Sequence, residues 1–255
     1  MRLSDGAEAI RGDLPASSTR VVDVPMEAGD ELGSGLPRLG SLQLVRDRVR
    51  EALDSVERWP LLIGGDCGAE LAAVEHAAAD GTVAVVWFDA HPDLNTPESS
   101  TTGAFGGMVL RTLLGDGVEA LVPAVPLSPG RVVVAGSRST DDSEEQYLLA
   151  SGIARVGADE LAAPDALLSA IEATGAASVY LHIDLDVLDP AELAGLSDPV
   201  PFGVTAAALV QSIKAVKARY PLVGAGITGF SPATEEAAAD DLPTILRIIG
   251  ALTSA

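Results

Sequence analysis

Val85-Val86-Trp87-Phe88-Asp89-Ala90-His91-Pro92-Asp93 reads as an apolar strand that runs directly into two carboxylates and an imidazole. Four large apolar residues in a row, with no polar alternation, mark a strand buried on both faces, as in a parallel sheet covered by helices. Leu181-His182-Ile183-Asp184-Leu185-Asp186 ends a second buried strand in the same way, and period-two alternation aims Asp184 and Asp186 to one side. Working outward, residues 60–64, 82–88, 131–135, 178–185 and 222–228 are expected strands. Residues 42–58, 69–78, 158–173, 205–219 and 240–253 are expected helices. This βα alternation predicts an α/β fold, an open parallel sheet flanked by helices on both faces, with ligand sites beyond the carboxyl ends of the strands.

Bulk properties agree. A chain of 255 residues buries roughly three quarters of its unfolded surface, so one domain spanning 1–255 is expected. The composition is 47% hydrophobic and only 4% aromatic, which suits small-residue helices on a Val-rich sheet. A net charge of -21 repels nucleic acid and anionic membranes, so neither is an expected partner. No apolar run is long enough to cross a bilayer and the first residues lack a secretion-signal core, so the expected location is the cytoplasm. One cysteine, Cys67, cannot form an internal disulfide and agrees with a reducing compartment.

An Asp at a strand end is by itself most often a helix cap or turn former. Two such motifs together are different. Asp89, His91, Asp93, Asp184 and Asp186 are five ligand-type side chains from two strand ends, four of them acidic. Like charges converging in this way need cations, and oxygen-rich sets suit hard divalent ions.

The order Gly64-Gly65-Asp66, Asp89-Ala90-His91-Pro92-Asp93, Asn95-Thr96-Pro97 and Asp184-Leu185-Asp186 resembles the arginase (ureohydrolase) family over nearly the whole chain. The resemblance begins near residues 6–11, ahead of which that family carries a further strand and Gly-rich loop. It implies a three-layer arginase-like fold and two Mn²⁺ ions. It also implies Asp89 and Asp184 as bridging ligands, Asp93 completing one site, His91 and Asp186 the other, and hydrolysis of a guanidine by water activated between the ions. Asn95, Thr102 and Asp141 correspond to residues that hold an amino-acid substrate, with Glu144 and Arg138 in support. Thr205 corresponds to a threonine near the guanidine. Asn95, Thr102, Asp141, Glu144 and Arg138 are each also readable as ordinary polar residues of loops.

Three positions depart from the family. Cys67 stands where the first metal's histidine is expected; a thiolate ligand there adds charge and softens the site toward Zn²⁺ or Fe²⁺, and the alternative is a small buried hydrophobe that leaves a coordination position empty. Gly106 stands where the family has its catalytic histidine, and Gly229 where arginases carry a glutamate that pairs with the guanidinium. Of the remaining histidines, His76 lies on an Ala-rich helix, and His182 sits roughly 7 Å back from Asp184 along its strand, where it either orients a ligand or is a core histidine satisfied by a buried partner.

Loss of both groups argues against a strongly basic guanidinium substrate. The combination resembles the Nω-hydroxy-L-arginine hydrolase branch of the family, which acts in D-cycloserine biosynthesis and releases hydroxyurea and L-ornithine, and that is the expected reaction. Asp186 is the expected proton carrier. Alternatives are another ureohydrolase of the arginase, agmatinase or guanidino-acid type, and a catalytically inactive metal-binding relative. Cys67 as a covalent nucleophile with His91 as its base ranks last, because acidic surroundings raise a thiol pKa. The expected partner is a small guanidine-bearing amino acid. No extension beyond Ala255 marks a subunit contact, so a monomer is expected beside the alternative of a homo-oligomer.

Overall fold

The computed structural model describes residues 3–27 and 29–254. Six parallel strands form one sheet: β1 (Leu61–Ile63), β2 (Val83–Phe88), β3 (Val132–Ala135), β4 (Ala154–Val156), β5 (Ser178–Asp184) and β6 (Leu222–Thr228). Their order across the sheet is β1-β6-β5-β2-β3-β4. The helices are α1 (Leu3–Gly12), α2 (Leu39–Leu53), α3 (Leu71–Ala77), α4 (Val109–Leu113), α5 (Asp142–Ser151), α6 (Asp165–Ala173), α7 (Ala206–Arg219) and α8 (Glu235–Thr253).

Alternation along the strands sorts the core into two layers. Ala84, Val86 and Phe88 of β2 pack with Leu181 and Ile183 of β5 against α6, α7 and α8. Val83, Val85 and Trp87 turn the other way with Tyr180, against α2, α3 and α4. All six residues of β2 are buried, as their unbroken apolar run requires.

The chain leaves β2 toward β3 and leaves β5 toward β6, in opposite directions across the sheet. The crevice between the adjacent β2 and β5 is therefore the point where strand order reverses, the position at which open α/β sheets bind ligands. Asp89 follows β2 and Asp184 ends β5.

The expected strands are all present, and differences are local. The sheet gains β4, and α1, α4 and α5 add to the expected helices. The helix expected over 158–173 starts only at Asp165, behind a 3-10 turn at Glu160–Ala162, because Pro164 cannot lie inside it. The helix expected from 240 begins at Glu235, where the Thr234 hydroxyl accepts from the Ala237 N–H. The strand expected over 178–185 ends at Asp184, and Asp186 stands on a following 3-10 turn rather than on the strand.

Candidate metal centre

Three chain segments bring the acidic groups together. Cys67 opens a 3-10 turn, Cys67–Glu70, just after β1, and Asp66 caps it by accepting from the Gly68 N–H. Asp89, His91 and Asp93 follow β2, and Asp184 and Asp186 lie at the end of β5. Backbone donors hold the carboxylates in place. His91 N–H donates to Asp89 Oδ1 at 2.6 Å, Ala90 N–H to Asp186 Oδ1 at 3.0 Å, and Asp186 N–H to Asp184 Oδ1 at 3.0 Å. Asp93 takes the left-handed backbone region at φ 53, an arrangement a short acidic side chain tolerates and one that clusters at functional sites.

Two groups of donor atoms result, each within 4.8 Å of one another: Cys67, Asp89, Asp93 and His182, and Asp89, His91 and Asp186. Asp89 belongs to both. Cys67 Sγ lies 3.1 Å from Asp184 Oδ2 and 3.5 Å from Asp89 Oδ2, and the Thr228 hydroxyl donates to Asp184 Oδ2 at 2.9 Å. His91 Nδ1 lies 3.0 Å from Asp186 Oδ2 and its Nε2 3.6 Å from Asp198. His91 thus addresses carboxylates rather than Cys67, and is not placed as a base for that thiol.

Electrostatics shows what the cluster lacks. Burial raises Cys67 well above the usual thiol range, reinforced by Asp93, Asp184 and Asp89. Burial and Asp89 likewise raise Asp93 and Asp184. Asp186 is pushed up to about 8 by burial and its two acidic neighbours. At Asp89 the two imidazoles outweigh burial and keep the carboxyl below its ordinary value. Without cations, then, the crowding disfavours charge on every carboxylate of the cluster but Asp89. Asp93 Oδ2 is buried with no hydrogen-bond partner. An orphaned buried oxygen beside a thiol, an imidazole and crowded carboxylates is the donor chemistry of a divalent-metal site, so the residues fit the expected ions.

Beneath the cluster is a buried floor that motif reading missed. Glu70 is fully buried, accepting from the Tyr180 hydroxyl at 2.9 Å on Oε2 and meeting His182 Nδ1 at 2.8 Å on Oε1. His182 Nε2 faces Asp89 Oδ2 at 3.4 Å, and the ring stacks on Trp87 at 3.5 Å between centroids. These contacts follow from register, since Trp87, His182 and Gly226 are neighbours across β2, β5 and β6. A Cβ at Gly226 would lie 1.9 Å from Glu70 Cδ, so that glycine makes room for the carboxylate. Glu70 follows Cys67 by three residues, and that spacing was its one signal in the sequence.

The residues expected to hold substrate are only partly gathered. Asn95 Nδ2 donates to Asp141 Oδ2 at 2.8 Å, and Ser99 donates to Asn95 Oδ1 at 2.6 Å. Asp141 also caps α5, exchanging hydrogen bonds with Glu144, which in turn accepts from the Leu94 N–H. Thr102 Oγ1 accepts from the Ala104 N–H, and Thr205, exposed, caps α7 through the Ala208 N–H. The Arg138 guanidinium donates to main-chain carbonyls, including Asp186 and Val200 at 2.7 Å each, and so ties the loop at 200–201 to the centre.

The two glycines differ. A Cβ at Gly106 would make ordinary contact with Asp66, at 3.5 Å from its Cβ. Gly229 has φ +82, and a Cβ there would lie 2.1 Å from Asp184 Oδ1. A Cβ has room at 106 and none at 229.

Residues 8–248 match the model of the arginase family. The arginase of Bacillus subtilis (strain 168) is 31% identical over 224 residues, covering 80% of this chain and 71% of that one. The arginase of Bacillus caldovelox is 32% identical over 219 residues, covering 76% and 67%. Among solved structures, Entamoeba histolytica arginase in complex with L-ornithine superposes with a TM-score of 0.87 over 100% of this chain and 94% of that one. At 22% identity this is a likeness of fold. A structure of Bacillus subtilis arginase gives 0.80 at 26% identity, covering 99% and 93%.

Proposed function

Since the chain belongs to the arginase family of metal-dependent hydrolases that act on guanidino compounds, we propose that its substrate is Nω-hydroxy-L-arginine and its products hydroxyurea and L-ornithine. Gly229 carries this reading. The carboxylate that pairs with a guanidinium cation cannot be supplied from position 229 without driving Asp184 aside. A less basic guanidine does not need it. The hydroxyl oxygen of an N-hydroxyguanidine withdraws electrons, lowers basicity and leaves a neutral, more electrophilic carbon.

The residues proposed to hold two Mn²⁺ ions are Cys67, Asp89, His91, Asp93, Asp184 and Asp186, with Asp89 and Asp184 shared. When bound, such ions lower the pKa of a shared water toward neutrality. Oxygen from water adds to the guanidine carbon, the bond from that carbon to the δ-nitrogen breaks, and the δ-nitrogen leaves carrying a proton. Asp186, held by the Ala90 N–H and facing His91, is the proposed carrier of that proton, in place of the imidazole absent at Gly106. Asn95 and Asp141, with Thr102, are proposed to receive the α-carboxylate and α-amino groups, and Thr205 to approach the guanidine end. Residues 1–255 act as one unit in this reading. No described helix is long and apolar enough to cross a membrane, and we assign the enzyme to the cytoplasm, where an unpaired thiol stays reduced.

The test is steady-state turnover of the Mn²⁺-loaded protein on Nω-hydroxy-L-arginine and L-arginine side by side, scoring ornithine and the urea product. Preference for the hydroxylated substrate is expected. Preference for L-arginine refutes the argument from Gly229, and silence on both points to another guanidine, such as agmatine or a guanidino acid, or to an inactive relative.

A further inference from the structure

We propose that His182 is itself a metal ligand, its Nε2 joining Cys67, Asp89 and Asp93 around one ion and supplying from β5 the imidazole nitrogen that position 67 no longer carries. The inference rests on the metal-binding reading above.

Geometry supports it at each atom of the ring. A ring nitrogen of His182 lies within 4.8 Å of the donor atoms of Cys67, Asp89 and Asp93, and Nε2 is 3.4 Å from Asp89 Oδ2. Asp93 Oδ2 in that group is buried without a partner, so a cation enclosed there meets an oxygen that nothing else satisfies. On the far side of the ring, Nδ1 meets Glu70 Oε1 at 2.8 Å. A carboxylate behind an imidazole is the arrangement that orients a ligating histidine and leaves its other nitrogen for the metal. Trp87, stacked at an interplanar angle of 17°, fixes the plane of the ring.

The surroundings are shaped for this pair. Tyr180 occupies the second oxygen of Glu70. Gly226 yields its side-chain space to Glu70, and Gly224 yields its own to the Tyr180 ring, where a Cβ would come within 2.6 Å. Four residues from three elements are thus committed to holding one imidazole toward the cluster. With the shared Asp184, the resulting donor set is one sulfur, one nitrogen and three carboxylates. It is softer than an all-oxygen set and accepts Zn²⁺ or Co²⁺ readily beside Mn²⁺.

The experiment uses the full chain carrying His76→Gln, labelled with ¹⁵N-histidine and loaded with Zn²⁺ as a diamagnetic probe. His76 is exposed on α3, away from the cluster, so only His91 and His182 then report. The expected spectrum contains two metal-bound ring nitrogens, together with a slowly exchanging Nδ1 proton on His182. A single metal-bound nitrogen, from His91, overturns the proposal and leaves the metal centre intact. None at all overturns the centre along with it. Titration of metal-free protein with Mn²⁺ gives a second reading. Loss of a partner behind a ligand weakens binding about 10- to 100-fold, which is expected for Glu70→Gln, and His182→Gln is expected to exceed that and to abolish one of two binding events. Equal losses in the two variants count against ligation by His182.

Discussion

Removing the Glu70 carboxylate tests the buried floor directly. In Glu70→Ala the Tyr180 hydroxyl and His182 Nδ1 lose their acceptor, and Gly226 offers no side chain to fill the space. One unsatisfied buried donor costs about 1–3 kcal/mol and one broken buried ion pair about 3–5 kcal/mol, so metal-free protein should lose about 4–8 kcal/mol. For a chain of this size that is a fall in Tm of roughly 10–30 °C. Gly226→Ala alone forces its methyl against Glu70 Cδ, 1.9 Å away, an overpacking cost of about 1–3 kcal/mol. With both substitutions together the methyl enters vacated space and the clash disappears. The double variant should therefore be no less stable than Glu70→Ala. Thermal and urea unfolding of the three variants and the parent, in chelator, measures the coupling. Additivity within about 0.5 kcal/mol would show that the glycine does not exist to seat the carboxylate, and the reasoning fails.

Gly229→Ala should leave a folded protein with depleted metal, because its Cβ displaces Asp184 and its φ of +82 disfavours alanine by upward of about 1 kcal/mol; a full complement by elemental analysis contradicts this. Gly106→His has room for its Cβ, and a positioned acid–base group is worth about 10²–10⁴-fold. L-Arginine turnover should rise in that variant, and an unchanged ratio of the two substrates argues against the missing-imidazole explanation. Asp186→Asn should abolish turnover while most substrate binding survives in a calorimetric titration, whereas a near-normal rate removes Asp186 from proton transfer. Finally, burial and acidic neighbours raise Cys67, Asp93 and Asp184, and carry Asp186 to about 8. Cys67, above its already high ordinary value, and Asp186, at about 8, hold protons at pH 7 that cations must displace, so apparent Mn²⁺ affinity should climb from pH 6 to 8. Calorimetry in buffers of different ionisation enthalpy should detect proton release, and a pH-independent affinity would contradict it.

What was legible in the sequence was local. The central strands announced themselves because parallel strands buried on both faces cannot alternate. The acidic motifs followed because their ligands stand two residues apart at strand ends. β4 was missed, since Ala154-Arg155-Val156 is a three-residue edge strand with an exposed arginine. The helix α5 went unread although Asp141 and Glu144 form a capping box at its start, because both were weighed only as substrate or loop residues. Glu70, Tyr180 and Gly226 were invisible for a deeper reason. Their meaning lies in register across β5 and β6, and a glycine whose role is to be absent leaves no trace of its neighbour in the chain. Glycine 229 was recognised as a departure, but only its backbone angle and its distance to Asp184 turned a missing glutamate into one that has no room.

The position of β6 sets a timetable. It lies between β1 and β5, so β1, with Cys67 and Glu70 just beyond it, has no strand to pair with until the chain has been made through residue 228. That interval is about 160 residues, or on the order of ten to thirty seconds of synthesis at the ribosome. Throughout it the thiol segment can pack on α2 and on Phe105, but β1 itself has no neighbouring strand. The strand bearing the thiol segment therefore joins the sheet only after the strands bearing Asp89 and Asp184 have been made, and the two halves of the centre are brought into one sheet by β6.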